Sequence, residues 1–246
     1  FSKFTKDHAG HHPDLQARSL FYFRDDNELR RFGEAHEAAH DSPDGLAAHV
    51  LGIQNLIVAH SEEMSQGDHS DAKTVADLDE VGLLRAIRQL QAGRDLAGFD
   101  LDGVPSFTVG CTIAPCADAA ELEAELAVAA AKVEAGAMFV ITPPVFDLNQ
   151  FAAQLPQFKK LGVPVIPTVF LLKSLAIAQY IANSEPGAHI SDELIRRIRK
   201  SSDREQEGIQ IAGETVAALK TMTEGVMIQT LGWEHRLSAI LDAAGF

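Results

Sequence analysis

The chain has few cysteines, no surplus of basic residues, no long apolar stretch and no glycine-rich nucleotide loop, and each absence removes a class of protein. Only Cys111 and Cys116 occur among the 246 residues. Two cysteines cannot build a disulfide framework, and a reducing cytoplasm is the simplest setting for them. Lys and Arg number 21 against 35 Asp and Glu, a formal net charge of -14. Such a surface repels phosphate backbones, so no nucleic-acid partner is expected without a local basic patch. The densest basic run, Arg196, Arg197, Arg199 and Lys200, is interleaved with acids in DELIRRIRKSSDREQEG and reads as a solvated helix face. No apolar run reaches the ~18 residues of a membrane span and no signal peptide opens the chain, so no membrane partner is expected. The opening, FSKFTKDHAG, lacks an initiator methionine, so residues before Phe1 are expected to be missing.

Six short apolar runs read as buried strands: residues 18–23, 53–59, 106–112, 138–142, 163–170 and 225–231. Helical patterns separate them. DAAELEAELAVAAAKVEAGA is the clearest: Asp118 caps it, Ala and Leu fill it, and Gly136 ends it. ISDELIRRIRK follows the same form with Ser191 as N-cap, and Asp147 opens another helix. Continuous apolar strands alternating with amphipathic helices predict a parallel sheet covered by helices. No Gly-x-Gly-x-x-Gly and no P-loop follows any of the strands, which removes the main sequence support for an open dinucleotide-binding sheet. The expected fold is therefore α/β, a TIM-type (β/α)8 barrel forming one domain over residues 1–246. Only six of the eight strands such a barrel needs are visible, so it is expected to be incomplete at the N-terminus.

Several clusters are candidates for chemistry. HEAAH sets His36 and His40 one helical turn apart beside Glu37, a zinc-site spacing with His49 as the nearest third ligand. Its polar, alanine-rich setting far from any strand end points to an exposed helix, and no metal is expected. Cys111 and Cys116 lack the further ligands a metal needs, so free thiols are expected. His60, Ser61, Glu62 and Glu63 fall where the second strand gives way to a long polar loop, at the carboxyl end that carries active sites in parallel barrels. In VITPPVFD the strand is expected to stop at Thr142, leaving Thr142, Phe146 and Asp147 about a proline corner.

Three segments in order carry a family resemblance: GIQNLIVAHSEEMSQGDHSDAKTVADLDEVGLL, AKVEAGAMFVITPPVFD and GVMIQTLGWEH. They resemble the methylenetetrahydrofolate reductase family, from about residue 50 to the C-terminus. The resemblance implies a folate-dependent oxidoreductase that reduces 5,10-methylenetetrahydrofolate to 5-methyltetrahydrofolate. It further implies a bound flavin, FAD or FMN, with NAD(P)H as electron donor. A carboxyl group near the flavin serves as proton source or charge stabiliser. The alternative is a flavin-less family member that binds a folate for methyl transfer, or serves as a partner subunit. A tetrahydrofolate derivative is the implied small-molecule partner, with a homo-oligomer or a partner subunit as the implied assembly.

Transferred by position, the family's catalytic aspartate falls on Glu62, preceded by Ser61 in place of glycine. His60, Ser61, Gly110, Cys111, Thr112, Glu125 and Lys132 are the implied flavin-binding residues, and Thr142, Phe146 and Asp147 the implied folate-binding ones. The chain departs from the pattern at Ala131, where an arginine is usual, and at Pro143, which replaces a glutamine that contacts the pterin. The acidic motif of the family's first strand has no counterpart.

Overall fold

The computed structural model describes residues 20–23, 54–59, 78–184 and 187–246. Each of the six apolar runs holds a strand, and the described strands pair in parallel, as their unbroken apolar character requires. The α/β class with a parallel sheet is thus present. Among the described residues no helix is long and apolar enough to cross a membrane. The described residues form two compact units, one of residues 20–23, 54–59, 78–112 and 130–138, the other of residues 113–129, 139–184 and 187–246.

In the first unit β1 (Leu20–Phe23), β2 (Asn55–Val58) and β3 (Thr108–Thr112) lie side by side in that order. All four residues of β2 are buried, so its Leu, Ile and Val side chains are core on both faces. Helix α1 (Glu80–Gln91) begins where the Asp79 carboxylate accepts from the Gly82 N–H, and it buries Leu83, Leu84, Ala86 and Ile87 along one stripe. Helix α2 (Ala119–Ala135) contributes its last turns here and its first turns to the other unit. It starts at the expected Asp118, whose carboxylate accepts from the Ala120 and Glu121 N–H groups. It ends at Gly136, whose φ of +133° is open to glycine and strained for other residues.

The second unit carries β4 (Phe139–Pro144), β5 (Val165–Phe170) and β6 (Met227–Gln229), again adjacent in chain order. Between them run α3 (Leu148–Lys159), α4 (Leu175–Ser184), α5 (Asp192–Lys200) and α6 (Arg204–Leu219), and α7 (Leu237–Ala243) follows β6. Ser191 caps α5 through the Leu194 N–H, as its sequence position predicts. Leu172, Ala178, Ile198 and Ile211 make a buried core cluster, with Phe146 and Phe170 packed against it.

The end of β4 differs from the expectation. The strand does not stop at Thr142 but continues through Pro143 and Pro144. Ile141 pairs with Ile166 and Pro144 with Thr168, so β4 spends three steps where β5 spends two. This bulge explains how two residues without N–H groups remain in a strand: the extra residue takes them out of the regular ladder. The Thr142 carbonyl accepts instead from the Thr168 hydroxyl at 2.7 Å, and the Val145 N–H rejoins the sheet at the Thr168 carbonyl.

Candidate functional site

Thr142 within this bulge, and Phe146 and Asp147 just past it, line one cleft of about 60 Å³ in the second unit. That is room for a few waters or for the edge of one ring, not for a whole cofactor. Thr142 is buried and its hydroxyl donates to the Pro143 carbonyl at 3.0 Å. Phe146 meets the Phe170 ring edge-on at 6.3 Å, which holds it at the strand tips. Asp147 caps α3, one carboxylate oxygen accepting from the Asn149 and Gln150 N–H groups at 2.9 and 3.0 Å. It is therefore already engaged at a helix N-terminus while lining the cleft.

The segment from Ile113 to Cys116 also lines the cleft and is held by acids of α2. Glu125 accepts from the Ala114 N–H at 2.9 Å and Glu121 from the Ala117 N–H at 2.7 Å. Burial pushes the Cys116 thiol pKa up, and Glu125, Glu121 and Asp118 add to the shift. The group stays a thiol at neutral pH, donating to the Ala114 carbonyl at 3.3 Å, and is no nucleophile. Both cysteines are free. Gly187 packs against the same segment: a Cβ there would lie 2.4 Å from the Cys116 carbonyl oxygen, and its φ of +76° also favours glycine.

Three polar side chains of the cleft had not been singled out in the sequence. Gln150 and Gln154, one turn apart on α3, and His189 beyond Gly187 all line it. Their only sequence signal is the i, i+4 glutamine pair on a helix that follows a strand tip. His189 has a backbone φ of 47°, unusual for a residue with a side chain, and no pattern marks it in the sequence.

The implied flavin residues are placed differently. Gly110, Cys111 and Thr112 end β3, with Cys111 fully buried. Lys132 is 2% exposed; its amino group lies 2.6 Å from Glu80 and donates to the Thr112 carbonyl at 3.0 Å. It ties α2 to α1 and β3 within the first unit. His60, Ser61, Glu62 and Glu63 lie outside the described residues, as do His36, Glu37, His40 and His49.

A second polar cluster occupies the carboxyl end of β6. The Glu234 carboxyl is held below the usual range, first by its own backbone N–H, then by the Gly232 N–H and the Thr230 hydroxyl, with Lys173 adding its charge. The Lys173 amino group sits 5.2 Å from the centre of the Trp233 ring and donates to the Leu231 carbonyl.

The sequence model of the family described as methylenetetrahydrofolate reductase matches residues 44–245. No curated protein matches the chain in sequence. Among solved structures, a Clostridium thermocellum protein that binds two copies of 5-methyl-5,6,7,8-tetrahydrofolic acid aligns at 13% identity and a TM-score of 0.45, over 92% of this chain and 93% of its own. Tryptophan synthase from M. tuberculosis aligns at 14% identity and a TM-score of 0.37, over 93% of this chain and 92% of its own. Both scores are below 0.5, so the assignment rests on the sequence match. On that match, which spans most of its length, the chain belongs to the methylenetetrahydrofolate reductase family.

Proposed function

We propose that this protein binds a tetrahydrofolate derivative at the carboxyl end of β4 and serves the reduction of 5,10-methylenetetrahydrofolate to 5-methyltetrahydrofolate. The observation that carries the reading is the cleft that gathers Thr142, Phe146 and Asp147 about the carboxyl end of a parallel strand of a family member. The proposal takes the chain as a single domain of barrel type. It assigns proton delivery to the folate nitrogen to Glu62, a carboxyl at the end of the second strand's apolar run. The family's reaction brings with it FAD or FMN as hydride carrier and NAD(P)H as donor.

One observation weighs against a flavin. Lys132, the one lysine among the implied flavin-binding residues, is enclosed and paired with Glu80, and Ala131 stands where the family has arginine. This observation favours a second reading, a flavin-less member that binds folate for methyl transfer or as a partner subunit. Two measurements separate the readings: an absorption spectrum of the purified protein with and without added flavin, and tetrahydrofolate binding by calorimetry. Flavin absorbance retained through gel filtration supports the reductase, and Glu62→Gln should then slow folate reduction about 100-fold. A colourless protein that binds tetrahydrofolate supports the second reading. A protein that binds neither removes both.

A further inference from the structure

The cleft contains hydrogen-bonding groups that the fold itself does not use. The Gln150 and Gln154 side chains are half-buried and line it, and among the described residues neither amide group has a hydrogen-bond partner. This is in contrast to Asp147, Glu121 and Glu125 around the same cleft, whose carboxylates are engaged with backbone N–H groups. Packing does not account for the two amides, because α3 already buries Phe151, Leu155 and Phe158 on its core side. Four residues apart, they are about 6 Å apart along the helix axis and share one face. Each offers a carbonyl acceptor and two N–H donors, the set that pairs with an N–H/C=O edge of a planar ring. The neighbouring Pro143 can donate nothing from its backbone and has no polar side-chain atom.

We infer that Gln150 and Gln154 are specificity-determining residues that bind the amino-pyrimidinone edge of a pterin ring, supplying from α3 the amide contact that Pro143 does not supply from β4. The inference rests on the folate reading above and deepens it. Phe146 is one of the apolar side chains of the same cleft. The ring edge enters between the two amides and its 2-amino group and lactam are satisfied by them. A ring lacking that donor–acceptor edge would leave the amides unpaired and bind more weakly.

The test compares tetrahydrofolate with its 2-desamino-2-methyl analogue, using calorimetric titration of the parent protein, Gln150→Leu, Gln154→Leu and the double variant. Thermal melting checks that each variant is folded, and Gln150→Met and Gln154→Met replace any leucine variant that is not. The parent should prefer the 2-amino ligand on the order of tenfold, the effect of one lost hydrogen-bonding partner. In the folded double variant that preference should collapse: both ligands lose the contact to the lactam, which they share, and only the 2-amino ligand loses the further contact to its amino group. A folded double variant that retains the parent's preference overturns the inference and leaves the folate reading standing. Equal weakening toward both ligands in the double variant, which leaves the parent's preference intact, marks the glutamines as structural and also overturns it. A parent that binds neither ligand removes the folate reading and this inference together.

Discussion

Lys132 lies in a family segment and carries a charge, two properties that in the sequence point to a cofactor phosphate. In the folded chain its amino group is nearly sealed from solvent, 2.6 Å from Glu80 and 3.0 Å from the Thr112 carbonyl. A charge in that setting is held by its partners, and removing one partner of a buried pair strands the other. Lys132→Met should therefore lower unfolding stability by about 3 kcal/mol in urea titrations. Lys132→Met combined with Glu80→Leu should recover most of the loss, because two apolar groups then replace two charges. A Lys132→Met protein as stable as the parent would remove the structural account and return the residue to the cofactor-binding role. Asp147 shows the same tension less severely: its carboxylate caps α3 and also lines the cleft, so its substitution would disturb helix and site together.

Elements make visible what packing adds to propensity. Helix α6 carries Gly208 and Gly213, which cost a helix about 1 kcal/mol each relative to alanine. Both are buried. A Cβ at Gly208 would lie 2.3 Å from the Leu172 carbonyl oxygen, and one at Gly213 would lie 2.5 Å from the Ala243 Cβ in α7. Close approach outweighs propensity here, so Gly208→Ala and Gly213→Ala should each destabilise by roughly 1–3 kcal/mol. Chemical denaturation decides, and a rise in the midpoint for either variant would mean that the contacts yield easily. The strands themselves were legible from the chain, since parallel strands buried on both faces leave unbroken apolar runs. Helix starts at Asp118, Asp147 and Ser191 were legible too, because capping is local chemistry. The bulge at Pro143 was not: proline reads as a stop, and only the Thr168 hydroxyl on another strand shows how the Thr142 carbonyl is satisfied. For the same reason the site was half legible. Thr142, Phe146 and Asp147 follow one another in sequence, whereas His189 and Gly187 join the cleft from the far side of α4 and carry no local signal.

For the whole molecule, the net charge of -14 and the individually held carboxylates pull stability in opposite directions as pH changes. Excess negative charge repels itself at neutral pH, and mild acidification relieves that repulsion. The carboxyls of Glu234 and Glu214 work the other way. Glu234 is lowered from its ordinary value of 4.5 chiefly by backbone N–H groups, and Glu214 chiefly by hydrogen bonds from Arg197. A carboxyl that titrates lower in the folded chain than in the unfolded one binds fewer protons when folded. Its contribution is thus present above the unfolded value and disappears as pH falls through the folded one. Stability should hold or rise slightly on leaving neutrality and then fall once pH drops below about 4.5. Glu214 lies at the surface, where solvent screens its pairing with Arg197, so its share of the fall should be small. Urea midpoints between about pH 7 and pH 3 for the parent and for Glu234→Gln test this. At neutral pH the variant should be less stable than the parent, and the gap should close toward the acid end, where the parent's Glu234 is protonated as well. A gap of constant size across the range would show that the substitution acts through geometry at Thr230 and Gly232 and that the charge of Glu234 contributes nothing.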